Sequence, residues 1–291
     1  MVGPDSLAHV WRQSLLVQVD GIEQLYPDLL EGRAVKAIHD LRVTFRRLQS
    51  LWEGLTTLIP DLGEQAPVLW WRCLSPLGKV RDLDVQIERL KTWQQTRLVK
   101  ALKQRRRQRL TKLRRQFPAS WWQGGLQRWR TWLAQTPWHP PLDLEATALI
   151  PDLIAPALGR WLLHPGWASR DPHDPLLHEL RKLGKKLRYQ GELFTPWYGP
   201  AWQDWLGELQ RMQSTLGTLH DLQVLHGLVQ AEAGGQELAD QLVEAMAATW
   251  QEWQGWRERW TSPGQRQRLH RLVCFAPEPL PEEVRELTPA V

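Results

Sequence analysis

Cysteine is almost absent. The 291 residues hold two, Cys73 and Cys274, far apart and in no metal-type spacing. That excludes a disulfide-stapled scaffold and a cysteine-based zinc site, and both are expected to be reduced, buried small hydrophobes. Catalytic signatures are absent too: there is no P-loop glycine pattern, no HExxH and no GxSxG. His173 and His178 with Asp171 and Asp174 match no standard ligand spacing. Without a metal-ligand set or a positioned base, hydrolysis has no agent, so no enzyme, metal or cofactor is expected. No run of about 18 apolar residues is evident, so no membrane span is expected. The N-terminus lacks the apolar core of a signal peptide, which points to the cytoplasm.

Other shortages are local. Between Arg89 and Leu142 there is no Asp or Glu, against 14 Lys and Arg. The densest run, Arg97 to Gln116, therefore cannot satisfy itself with i, i+4 ion pairs. It is either a solvated basic face or an outer polyanion-binding ridge. Phenylalanine is scarce, with 4 residues, while tryptophan reaches 19. The main expectation is that Trp replaces Phe and Leu in the core, with base stacking by exposed Trp the lesser one.

What is present is basic and repetitive. The formal charge is +5 and the pI near 9.4, which favours nucleic acid, polyphosphate or an anionic membrane surface as partner. His178 to Tyr189 reads HELRKLGKKLRY, and His39 to Ser50 reads HDLRVTFRRLQS. At about 100° per residue, His178, Arg181, Lys185 and Arg188 fall in one sector and Leu180, Leu183 and Leu187 opposite it. His39, Arg42 and Arg46 repeat the polar sector; Leu41, Leu48, Leu51 and Trp52 repeat the apolar one. Each stretch predicts a helix with a buried leucine stripe and a cationic stripe.

A second motif follows each of these. LGKVRDLDV begins at Leu77 and LGTLHDLQV at Leu216, and both motif pairs are offset by 139 residues. Two unrelated motifs with one offset imply an internal duplication, with halves of about 1–137 and 143–275 around a pseudo-two-fold axis. The fold class expected is all-α: two helical bundles around a basic central groove or pore. TPWHPPLD, residues 136 to 143, is the expected boundary. Helices are predicted over 6–30 (capped by Asp5 or Ser6), 33–58, 65–76, 79–116, 119–134, 144–163, 175–195 (capped by Asp174), 199–213, 215–233, 235–260 and 262–274. Pro27 with Gly32 and Pro76 with Gly78 are read as breaks. Residues 276–291, four Glu against one Arg, read as an acidic Pro-rich tail.

The paired HxxRxxxRR/KKL helices, each followed by LGxxxDLxV, resemble the CHAD family, the conserved histidine α-helical domain, over nearly the whole chain. The resemblance implies a single domain over about 1–275 that binds inorganic polyphosphate along a basic central surface. It also implies a place at polyphosphate granules. Relatives can be fused to a triphosphate-hydrolysing domain marked by ExExK, a string this chain lacks. The residues expected to meet the polyanion are His39, Arg42, Arg46, Arg47 and Arg81 in the first half. In the second they are His178, Arg181, Lys182, Lys185 and Arg188. Arg forks match two phosphate oxygens at once and Lys adds a mobile charge.

His39 and His178 are weighed evenly between ligand contact and scaffolding. Asp82 and Asp221 are read as partners for stripe arginines, or else as helix caps. Gln49 stands where the second half has Arg188, so the second stripe is the stronger by charge. Two other readings remain open: a nucleic-acid binder using residues 97–115, and a granule-associated scaffold recruiting proteins through its tryptophans.

Overall fold

A computed structural model of the chain describes residues 6–31, 35–58, 68–136, 144–230 and 236–274. Among these residues lie ten α-helices and two short 3-10 helices, with no strand. The chain divides into two compact units, Met1–Leu144 and Glu145–Val291.

Unit 1 contains α1 (Leu7–Glu31), α2 (Val35–Leu58), a 3-10 helix (Val68–Cys73), α3 (Leu74–Thr92), α4 (Thr96–Gln116) and α5 (Ala119–Gln135). The chain enters α1 at Ser6, whose Oγ accepts the His9 N–H at 3.2 Å and so satisfies a donor with no helical partner. α1 packs on α2 and α5, α2 on α3, and α3 on α4. Burial of aromatic area dominates the core. Phe45, Trp11, Trp122 and Trp129 are fully enclosed, and Trp52 meets Trp129 and Trp132 edge-on, with ring centroids 5.8 and 5.1 Å away. Two of the enclosed indole N–H groups find backbone acceptors: Trp11 Nε1 donates to Leu51 O at 3.0 Å, and Trp122 Nε1 to Phe117 O at 3.0 Å.

Unit 2 contains α6 (Ala146–Leu162), a 3-10 helix (Pro165–Ala168), α7 (Pro175–Leu193), α8 (Thr195–Gln230), α9 (Gln236–Thr261) and α10 (Pro263–Cys274). α6 packs on α7 and α10, α7 on α8, and α8 on α9. Trp161, Trp202, Trp205, Trp253 and Trp260 fill its interior. Asp174 caps α7 by accepting the Leu176 N–H at 2.9 Å, and Pro175 occupies the first helical position, where no N–H is needed. Among the tryptophans whose burial is described, most are buried and Trp71, Trp93, Trp121, Trp250 and Trp256 are half-buried, so these indoles serve mainly as core and rim material.

Several expectations are corrected. The long helix over 79–116 is two helices. Gln94 adopts a left-handed φ of 55°, Gln94 N–H donates to Lys91 O and Gln95 N–H to Leu90 O, both at 3.0 Å. This is a Schellman ending with glutamine where glycine is usual, so no residue type announced it. Conversely, α1 continues through Pro27. α3 begins at Leu74 and passes Pro76, which sits in the first turn where a missing N–H costs little. Of the helix expected over 65–76, Val68–Cys73 form the 3-10 helix, Leu74 onward belong to α3, and residues 65–67 lie outside the described residues. The pair expected at 199–213 and 215–233 is one element, kinked at Gly199 with φ 68°. Cys73 is buried, and burial pushes its thiol up, whereas Cys274 is exposed. One segment, Ala146–Ala168, does have the length and a mean hydropathy of 1.2 that a membrane span needs. Its residues Ile150, Ile154, Leu158 and Trp161 are buried within unit 2. Residues 137–143 of the expected linker and the tail from 275 lie outside the described residues.

Candidate functional site

The two sequence motifs meet in both units, at a glycine in each, and only in unit 2 does the contact need the missing side chain. Arg42 of α2 lies against Gly78 of α3, where an added Cβ would sit 3.7 Å from Arg42 Nε. In unit 2, Arg181 of α7 lies against Gly217 of α8 more closely, at 2.8 Å from Nη2 and 3.3 Å from Nε. Bare backbone at Gly217 leaves room for the Arg181 guanidinium against the neighbouring helix. The apolar faces beneath are buried: Leu41, Leu48, Leu77 and Val80 in unit 1; Leu180, Leu187, Leu216 and Leu219 in unit 2.

In unit 2 the arginines are further held by Gln213, itself 4% exposed. Its backbone O accepts Arg181 Nε at 3.4 Å and its Oε1 accepts Arg188 Nε at 3.2 Å. Arg188 also pairs with Glu192 one turn on. Lys182 pairs with Glu179 at 2.6 Å on the exposed side. Lys185 and Lys186 are half-buried. Gln213 was not anticipated. The available signal was a polar residue where the register 139 earlier has the buried Leu74.

His178 lies beside His220, ring centroids 5.3 Å apart, so the histidines of both motifs converge. Together with His173, Asp174, Arg181 and Gln223 they line a cavity of about 330 Å³ between α7 and α8. Gln223 Nε2 donates to Pro172 O at 2.6 Å and ties the preceding loop to α8. His178 keeps access to solvent. Loss of hydration on its inner side, then the neighbouring His220, Arg181 and Lys182, hold its pKa below the ordinary histidine value, with Glu179 acting the other way.

In unit 1, His39 and Arg46 are exposed, and Arg42, Arg47 and Arg81 are half-buried. Arg46 Nη1 donates to Gln49 Oε1 at 3.0 Å, so the residue that departs from the basic pattern orients the stripe. Arg42 Nε is buried without an acceptor among the described residues. Asp82 and Asp221 lie well inside α3 and α8, so neither caps a helix. Among the described residues no group of His, Cys, Asp and Glu is placed to hold a metal ion.

The described residues are all-helical, with a cationic helix laid against an LGxxxDLxV helix in each unit. A family model for the CHAD domain matches residues 13–230. The chain therefore belongs to the CHAD family. No curated protein sequence matches significantly. Among solved structures, the crystal structure of the CHAD domain from the plant Ricinus communis is similar at 21% identity and a TM-score of 0.64, covering 94% of this chain and 93% of that one. At that identity the likeness establishes the fold.

Proposed function

We propose that this protein binds inorganic polyphosphate, without catalysis, through the cations of α2 and α7. The observation that carries the reading is the arginine of the first motif packed on the glycine of the second in both units, Arg42 on Gly78 and, more tightly, Arg181 on Gly217. Each is followed along its helix by further cations, at Arg46 and Arg47 in one case and Lys185 and Arg188 in the other. Such a row spans about 10 to 15 Å, which suits a chain of phosphates better than one phosphate ion. The internal duplication, and the basic groove it implies, belong to this reading. Support comes from helix starts that recur at nearly constant offset, Leu7 and Ala146, Val35 and Pro175, Thr96 and Gln236. A cytoplasmic location, on polyphosphate granules, is part of the same proposal.

Bound phosphates would favour the imidazolium of His178, so binding should take up protons as the pH falls below the ordinary histidine range. Calorimetric titration of long-chain polyphosphate at several pH values, in buffers of different ionisation enthalpy, tests this. Affinity should rise on acidification and fall steeply with salt, and orthophosphate should compete poorly. Binding that is indifferent to salt, or equal affinity for orthophosphate, would remove the reading.

A further inference from the structure

α4 carries ten Lys and Arg and no acid in 21 residues. These cations divide by face. Three serve the fold: Arg106 pairs with the buried Asp84 of α3, Arg109 Nη1 donates to Lys79 O at 3.4 Å, and Arg114 Nε donates to Leu29 O at 2.8 Å. The other seven, Arg97, Lys100, Lys103, Arg105, Arg107, Lys112 and Arg115, are exposed. None of the seven is held by an acid among the described residues.

Their arrangement around the helix is ordered. Val99, Leu102, Leu110 and Leu113 define the inner face. At about 100° per residue, Gln104, Gln108 and Thr111 then run along the outer crest. Arg105 and Lys112 lie on one flank, Lys100 and Arg107 on the other, and Arg97 and Arg115 stand at the crest's two ends. The exposed face has no aromatic side chain and nothing more apolar than Ala101. Base stacking on single strands and insertion into a membrane surface therefore lack the groups they need.

We infer that α4 is a contact surface for duplex DNA, laid along the major groove with its flanking cations on the phosphates of both walls. A helix with side chains is about 10–12 Å across and the B-form major groove about 12 Å wide. The crest from Arg97 to Arg115 runs about 27 Å at 1.5 Å per residue. Its glutamines and threonine face the base edges, while the flanks supply four phosphate contacts. Double-stranded RNA, whose major groove is deep and narrow, does not admit such a ridge. This surface is independent of the polyphosphate reading, which rests on α2 and α7.

The test uses fluorescence anisotropy of the full chain with a labelled 20-bp DNA duplex and an RNA duplex of matched sequence. Salt is varied between about 50 and 200 mM, where four phosphate contacts predict a log–log slope of about −3.6, roughly a hundredfold loss. Arg105→Gln/Arg107→Gln/Lys112→Gln, substitutions that keep helix propensity, should weaken DNA binding at least tenfold. Circular dichroism should be unchanged, and so should polyphosphate affinity measured on the same preparations. Unchanged DNA affinity in that variant, or RNA duplex bound as tightly as DNA, would overturn the inference. Loss of polyphosphate binding in α7 variants with DNA binding intact would support it and keep the two surfaces separate.

Discussion

Unit 1 carries 23 Lys and Arg against 13 Asp and Glu, a net of +10; unit 2 carries 14 against 19, a net of −5. The contrast is sharpest between α4, with ten bases and no acid, and α9, with five acids and two bases at the corresponding place in the helix order. Both units nevertheless lay an arginine of one motif on a glycine of the other. The local geometry is shared while the net charge is not. The overall +5 is thus an average over two unlike surfaces, and a charge argument made on the whole chain really describes unit 1. The cores differ in a compensating way. Unit 1 has Ile22 and Phe45, both fully buried, where the 139-residue register gives unit 2 Trp161 and Gly184. Bulk has moved from one helix to its neighbour.

The largest effects should come from that exchange. Phe45→Ala opens a cavity among Trp71 and Trp122, and should cost about 3–5 kcal/mol in denaturant unfolding. Gly184→Ala overpacks instead, since its Cβ would sit 3.0 Å from Trp161 Nε1 and 3.1 Å from Gln213 Nε2. A cost of about 1–3 kcal/mol is expected, and a neutral result would show that the unit 2 core has slack there. Asp84→Ala leaves Arg106 beside a buried site without its partner, again about 3–5 kcal/mol. Gln223→Ala, at the matching position, loses one neutral hydrogen bond and about 1 kcal/mol. Equal costs for these two would break the comparison.

Smaller effects sharpen the site. Gly217→Ala must displace the Arg181 guanidinium while the fold survives, because the obstacle is the far end of a flexible side chain; polyphosphate affinity should drop about tenfold. Gly78→Ala meets Arg42 only at ordinary contact distance and should leave affinity unchanged, gaining about 0.5–1 kcal/mol of stability from helix propensity. The smallest effect is in pH. Because His178's pKa lies below the ordinary value in the folded chain, its contribution to stability is full above that value and is lost as the pH falls through the folded pKa. His178→Gln should flatten both this loss and the opposing rise in polyanion affinity, measured by unfolding and binding between pH 5 and about 8.

The helices were legible because leucine and tryptophan recur at helical spacing, and the caps because Ser6 and Asp174 precede apolar runs. The breaks were not. A glutamine at left-handed φ ends α3, and Pro27 and Pro76 lie inside helices, so residue type and local outcome part company there. The cationic stripes were visible from periodicity, yet their support was hidden. Gly78 looked like punctuation and lies inside α3 against Arg42, Gly217 makes room for Arg181, and Gln213 acts through a contact 32 residues away from Arg181. Part of the basic run's meaning was likewise tertiary, since Asp84 on α3 claims Arg106 across a turn no glycine marks.

The most direct measurement is the polyphosphate affinity of Arg181→Gln/Lys182→Gln/Lys185→Gln beside the wild type. Arg188 is spared because Glu192 and Gln213 hold it within the fold. With circular dichroism unchanged, loss of these charge-assisted contacts should weaken binding at least about a hundredfold. Undiminished affinity in a folded variant would contradict the claim that α7 holds the polyanion.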